Sequence, residues 1–248
     1  TISKTVIAPS PFDLHLIDAG TGVFVLVSPP RIHTANSVEG AYPDPPLARP
    51  IDTISPVEDN SIDVAAQNCL FNIFKAEDLK KAIEEMYRVL KPHGRLVMSD
   101  PTCEQPMNDT LRNDDRLRAL CLSGSLPIAE YVKALTDAGF GTIEIRARKP
   151  YRILDPKNYP TEELIYIESI EVAAIKDPMP EDGPCIFTGK AAIYYGDEDY
   201  FDDRAGHTLL KNQPLAICDK TAAALKALGR DDIYFSESTF HYDGGGCC

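Results

Sequence analysis

Glu58-Asp59-Asn60-Ser61-Ile62-Asp63-Val64-Ala65-Ala66-Gln67-Asn68-Cys69-Leu70-Phe71-Asn72, and further on Met86-Tyr87-Arg88-Val89-Leu90-Lys91-Pro92-His93-Gly94-Arg95-Leu96, decide the fold. The polar run 58–61 is a turn. Residues 62–66 then read as a short strand, apolar except for Asp63. Residues 77–90 read as a helix, because Leu79, Ile83, Met86 and Leu90 fall on one face. Glu77 stands four residues before Lys81, the favoured order for a helical ion pair. Pro92 and Gly94 stop the helix, and 95–99 form the next strand. Strand, helix, strand at this spacing is a βαβ unit, which requires a parallel sheet and a right-handed crossover.

A second unit follows. Ser125 is placed to cap a helix running to about residue 138, with Ile128, Val132 and Leu135 inward. Gly139 stands where a left-handed C-cap belongs. Residues 142–147 then alternate as a strand around Ile143 and Ile145. Beyond Pro150 the texture changes. Residues 162–175 fit a helix, with Leu164, Ile167, Ile170 and Ala174 on one stripe. Residues 191–195 and 233–236 fit strands, and Asp219 caps a helix over 220–228 that Gly229 ends. Before residue 57 the chain is proline-rich (Pro29, Pro30, Pro43, Pro45, Pro46, Pro50, Pro56). Two stretches there, 14–18 and 23–27, read as extended, and 28–56 as loop. The expected division is an atypical segment 1–56, an α/β domain 57–150 and a small α+β domain 151–248.

Hydrophobic residues at 44% and charged residues at 25% place the chain in the ordinary globular class. A formal net charge of −13 repels phosphate backbones, so nucleic acid is excluded as a partner. No apolar run is long enough to span a membrane, and residues 1–10 do not read as a signal peptide. A cytoplasmic location follows as the expectation. The seven cysteines, Cys69, Cys103, Cys121, Cys185, Cys218, Cys247 and Cys248, are scattered and form no C-x-x-C pair. Free thiols are therefore expected, and a zinc knuckle is not.

Asn68, Cys69 and Asn72 fall at the carboxyl end of the first strand, where open α/β sheets bind ligands. That strand, its polar end and the stretch Arg88-Val89-Leu90-Lys91-Pro92-His93-Gly94 resemble the middle of a class I S-adenosylmethionine-dependent methyltransferase. Asn68-Cys69 with Asn72 is similar to the arsenite methyltransferases. So are Cys121 within Leu120-Cys121-Leu122-Ser123-Gly124-Ser125-Leu126 and Cys185 within Glu181-Asp182-Gly183-Pro184-Cys185. With residues 58–75, 99–115 and the ending Tyr242-Asp243-Gly244-Gly245-Gly246-Cys247-Cys248, the chain from about residue 56 onward resembles the cyanobacterial branch placed with arsenosugar biosynthesis.

The resemblance implies a Rossmann-like methyltransferase sheet whose later half is 57–150. It implies S-adenosylmethionine as cofactor, arsenite as small-molecule substrate, and a thiol reductant, glutathione or thioredoxin. Cys121 and Cys185 become the core arsenic ligands with Cys69 beside them, and Asn68, Cys69 and Asn72 face the cofactor. Cys247 and Cys248, on a glycine tether, suit a flexible soft-metal hook or a vicinal disulfide. Taken singly, each internal cysteine also fits a small buried hydrophobe.

The family also needs a glycine turn after its first strand. Leu16-Ile17-Asp18-Ala19-Gly20-Thr21-Gly22 matches that pattern and offers Asp18, Gly20 and Gly22 to the cofactor. Residues 23–30 then favour a strand where the fold demands a helix, and the distance to Ile62 is too short for two more strands with their helices. The N-terminal half of the sheet is expected to be incomplete, with an edge that a homo-oligomer would cover. Three functions compete: methyl transfer to thiol-bound arsenic, soft-metal binding without catalysis, and methyl transfer to another small molecule with cysteines as core.

Overall fold

The computed structural model describes residues 57–105 and 107–244, and the backbone of residues 13–18 and 23–28. These two N-terminal stretches are strands, β1 (Asp13–Asp18) and β2 (Val23–Ser28), paired antiparallel with Asp18 opposite Val23. Both extended readings hold, and a strand does follow the glycine-bearing segment. β2 runs parallel to β3 (Ile62–Asn68), Phe24 opposite Val64. A 3-10 turn (Phe71–Ile73) and α1 (Ala76–Val89) lead to β4 (Leu90–Thr102), parallel to β3. This is the expected βαβ unit. α1 buries Leu79, Ile83, Met86 and Val89. Glu77 and Asp78 in its first turn and Arg88 in its last complement the helix dipole. Leu90, expected on the helix, is extended and begins β4.

After β4 come two short helices, α2 (Asp109–Arg112) and α3 (Asp115–Ala119), then α4 (Ile128–Asp137). Ser125 does not cap α4. The helix starts behind Pro127, and the buried Ser125 hydroxyl has no hydrogen-bond partner among the described residues. Gly139, at φ +110°, ends the helix as expected. β5 (Thr142–Leu154), β6 (Ile165–Ile175) and β7 (Cys185–Phe187) complete one seven-stranded sheet in the order β1-β2-β3-β4-β6-β5-β7. β6 is antiparallel to both neighbours, and β7 is parallel to β5. α1 and α4 cover one face, over Ala65, Leu96, Met98, Ile145 and Val172. Parallel β2, β3 and β4 with the α1 crossover make the sheet Rossmann-like.

Residues 162–175 are thus not a helix. Along β6 the buried side switches. Ile165 and Ile167 pack with Cys103, Leu111, Leu122 and Leu154, whereas Ile170, Val172 and Ala174 join the α1–α4 core. Successive strand residues point to opposite faces, so 165 and 167 lie on one side and 170, 172 and 174 on the other. The three-residue step from 167 to 170 imitates a helical stripe. The β-branched content was the contrary signal. β5 accommodates the switch with register shifts between Ile145 and Ala147 and between Pro150 and Arg152.

The boundary expected at 150 therefore falls inside β5, and the sheet runs on through β7. The small α+β unit begins at β8 (Lys190–Tyr194). β9 (Tyr200–Asp202) and β10 (Thr208–Leu210) form a hairpin. β11 (Pro214–Ile217), α5 (Asp219–Ala227) and β12 (Ile233–Phe235) follow, with β8 central in the sheet β11-β8-β12. Ala192, Tyr194, Leu209, Ile217, Ala222, Leu225 and Ile233 are its core.

Ile167→Ala and Ile170→Ala should each cost about 2–4 kcal/mol. Their effects should add within about 0.5 kcal/mol, since the two side chains share no cluster. Urea unfolding of both single variants and the double variant checks this, and strong coupling would contradict the face switch.

Candidate functional site

β3 and β4 end side by side, Asn68 opposite Ser99. At Cys69 the chain turns: its amide donates to the Ser99 carbonyl at 2.7 Å, and its φ is +55°. That left-handed conformation is uncommon for a residue with a Cβ. Buried polar groups fix it from below. Gln67 Oε1 accepts from the Leu70 amide at 3.0 Å, and Gln67 Nε2 donates to the carboxylate of Asp100. Asp100 is fully buried.

Cys121 reaches the same place from the far end of α3. Its backbone is also left-handed, at φ +58°. Its thiol donates to the Cys69 carbonyl at 2.9 Å, and the two thiols are close enough to share a hydrogen bond. Gly124 makes the approach feasible, because a Cβ there would sit 1.9 Å from the Asn72 carbonyl oxygen. Asn72 then ties three segments together. Its Nδ2 donates to the Pro101 carbonyl at 3.0 Å and to that of Cys121 at 3.5 Å, while its Oδ1 accepts from the Tyr131 hydroxyl.

Burial governs the titration of this cluster. Desolvation raises the Asp100 carboxyl to about 7, against the opposing hydrogen bonds of Gln67 and the Asn72 and Phe71 amides. No group reaches Asp100 Oδ1 at hydrogen-bonding distance among the described residues. Cys121 is pushed up to about 12, first by burial and then by the nearby Cys69 and Asp100. Cys69 is raised by burial and by Asp100, with the Cys121 hydrogen bond opposing. Both thiols are therefore protonated at neutral pH.

The structure brings together Asn68, Cys69 and Cys121 and separates the other expected residues. Cys185 is a correction. It pairs with Thr142, which lies opposite Ile175, itself opposite Arg95 at the amino end of the parallel run in β4. β7 is also four strand spacings from β3, on the order of 19 Å across the sheet. Cys185 is buried instead with Phe187, Cys218 and Tyr242, so it cannot share a ligand with Cys121. Asn72 is a second correction: with no exposed surface and its amide engaged on both sides, it braces the fold and does not face a cofactor. Asp18 is a third. Asp18 ends β1 opposite Val23, the first residue of β2, which puts it at the amino edge of the parallel strands. That is the edge opposite Cys69, and Gly20 and Gly22 lie outside the described residues. Cys247 and Cys248 also lie outside the described residues. Sequence reasoning missed Gln67, Asp100 and Tyr131. The signal for Asp100 was an acid at the end of an apolar strand, directly after Ser99.

A cleft of about 970 Å³ opens between α1 and α4, lined by Phe74, Leu79, Lys133 and Ala134 among others. Ser123, Gly124 and Ser125 also line it, and neither thiol does.

Residues 28–98 match the family model described as "Methyltransferase domain". An arsenite methyltransferase of Halobacterium salinarum is 32% identical over 90 residues, 36% of this chain and 22% of that protein. One from Aquipseudomonas alcaligenes is 33% identical over 97 residues, 39% of this chain and 28% of that protein. The matched part thus spans under a third of either relative. The crystal structure of an arsenic(III) S-adenosylmethionine methyltransferase from Chlamydomonas reinhardtii superposes with TM-score 0.47 at 22% identity, covering 75% of this chain and 63% of that one.

Gly124→Ala should lower stability by at least about 2 kcal/mol, since its Cβ meets backbone. Urea unfolding reads this. Asp100 supplies a pH signature. Its folded carboxyl titrates near 7 and an unfolded one near 3.9. The stability contribution is full below about pH 4 and lost as pH rises through about 7. Asp100→Asn should flatten that slope in unfolding measured from pH 4 to 8.

Proposed function

We propose that this protein is an S-adenosylmethionine-dependent arsenite methyltransferase that captures trivalent arsenic on the Cys69–Cys121 thiol pair. The observation that carries this reading is the meeting of those two thiols, from distant parts of the chain, at the carboxyl edge of the parallel strands. Trivalent arsenic is soft and prefers sulfur ligands. The pair is protonated, so the ligand must bring its own proton acceptors. Arsenous acid does: two thiols and As(OH)3 give a dithiolate As–OH and two waters, each thiol proton leaving with a hydroxide. The arsenic lone pair is untouched and remains the nucleophile.

S-adenosylmethionine, when bound, supplies an electrophilic methyl carbon. Of the residues offered for it by the sequence, Asn68 and Cys69 stand at the same edge as the thiol pair. Asn72 is sealed beneath, and Asp18 is at the other edge. The described residues therefore fit the arsenic acceptor closely and supply one rim for the methyl group's carrier. Donation of the arsenic lone pair to a methyl group would take arsenic formally from +3 to +5. The two sulfurs would return the two electrons as they leave it joined in a disulfide, and a thiol reductant, glutathione or thioredoxin, would reduce that disulfide to two thiols. The burial of Asn72 and the place of Asp18 at the opposite edge favour one second reading, arsenic binding without turnover.

Cys69→Ser and Cys121→Ser should each weaken binding of a trivalent arylarsenical about 100-fold or more, the loss expected when a chelate becomes monodentate. Cys185→Ser should leave it unchanged. Protection of individual cysteines from alkylation reads the binding, and chromatography with arsenic-specific detection reads methylated products. Protection with no methylated product selects the second reading. Protection that needs Cys185 and ignores Cys69 overturns the site.

A further inference from the structure

The Cys69 turn is held by groups that the arsenic chemistry leaves idle. Asp100 has no exposed surface and no cationic partner among the described residues, an unusual position for a carboxylate. One of its oxygens takes the Gln67 amide hydrogen, and Gln67 passes the restraint to the Leu70 amide at 3.0 Å. The amides of Phe71 and Asn72, at the start of the 3-10 turn, also favour the charged carboxylate. The amide directly after Cys69, that of Leu70, is thus restrained through Gln67 by one side chain of the neighbouring strand. Cys69 is the residue held in the left-handed region, at φ +55°. An ordinary β continuation of β3 would carry its thiol away from Cys121.

We propose that Asp100 is the positioning residue of the thiol pair, its buried carboxyl fixing the turn 70–72 through Gln67 so that the Cys69 thiol faces that of Cys121. This rests on the arsenic reading above. Asp100 touches neither arsenic nor methyl group; it acts on chelation, which requires both sulfurs at one spacing, and hardly on the reactivity of either thiol alone.

The test uses the full reduced chain, phenylarsine oxide as a probe that needs two thiols, and N-ethylmaleimide as a probe that needs one. Peptide mapping reads each cysteine. In the unaltered protein phenylarsine oxide should protect Cys69 and Cys121 together. In Asp100→Leu the protecting concentration should rise at least about tenfold, the range seen when groups behind a ligand are removed. Both cysteines should still react with N-ethylmaleimide. Asp100→Asn, whose amide oxygen can still accept from Gln67, should recover most of the affinity. Gln67→Leu, with Asp100 retained, should weaken chelation like Asp100→Leu, and it stands in if that variant fails to fold. Unchanged chelation in the folded Leu variants, or an Asn variant as weak as Leu, overturns the proposal. Absence of paired protection in the unaltered protein instead overturns the arsenic reading itself, so the two failures are distinct.

Discussion

The close approach of two backbone turns is the constraint on which the rest depends. The loop that carries Cys121 rests directly on the Asn72 carbonyl, at a separation that glycine alone allows at position 124. Around that contact the Asn72 side chain, the Tyr131 hydroxyl and the Pro101 carbonyl close a fully buried hydrogen-bond set. Buried polar groups specify geometry when all are matched. Here they fix the spacing of two cysteines 52 residues apart in the chain, and they do so from β4, α4 and the 3-10 turn at once.

The sheet was legible where one periodicity held over a whole element. α1 kept its apolar stripe from Leu79 to Met86, and β3 and β4 followed from the turn and the proline–glycine stop around it. β6 was not legible, because a strand that buries first one face and then the other spaces Ile167 and Ile170 as a helix would. The distinction lies in tertiary packing, which single-chain periodicity does not contain. The end of the large sheet was misplaced for the same reason, since β6 inserts between β4 and β5 and draws Pro150 into the sheet's interior sequence.

The site divided along similar lines. Cys69 and Cys121 were readable in context as members of one site together with Cys185; which two of the three meet was not. Cys185 shared the sequence signature of a ligand and failed on position alone, carried by β7 to the amino edge of the sheet. Asn72 looked like a rim residue because it follows a strand end. It is interior because the 3-10 turn rolls it under. Asp100 and Gln67 carried no motif. A buried acid is visible only once the elements above it are in place.

One hydrogen bond has a further consequence. Cys121 gives its only proton to the Cys69 carbonyl. Any soft ion that takes the place of that proton leaves the carbonyl without its partner, at a cost of about 1 kcal/mol. Capture is thereby made looser than the two sulfurs alone would make it. Under the proposed capture of arsenic, the same hydrogen bond re-forms on release, so what loosens binding also favours departure.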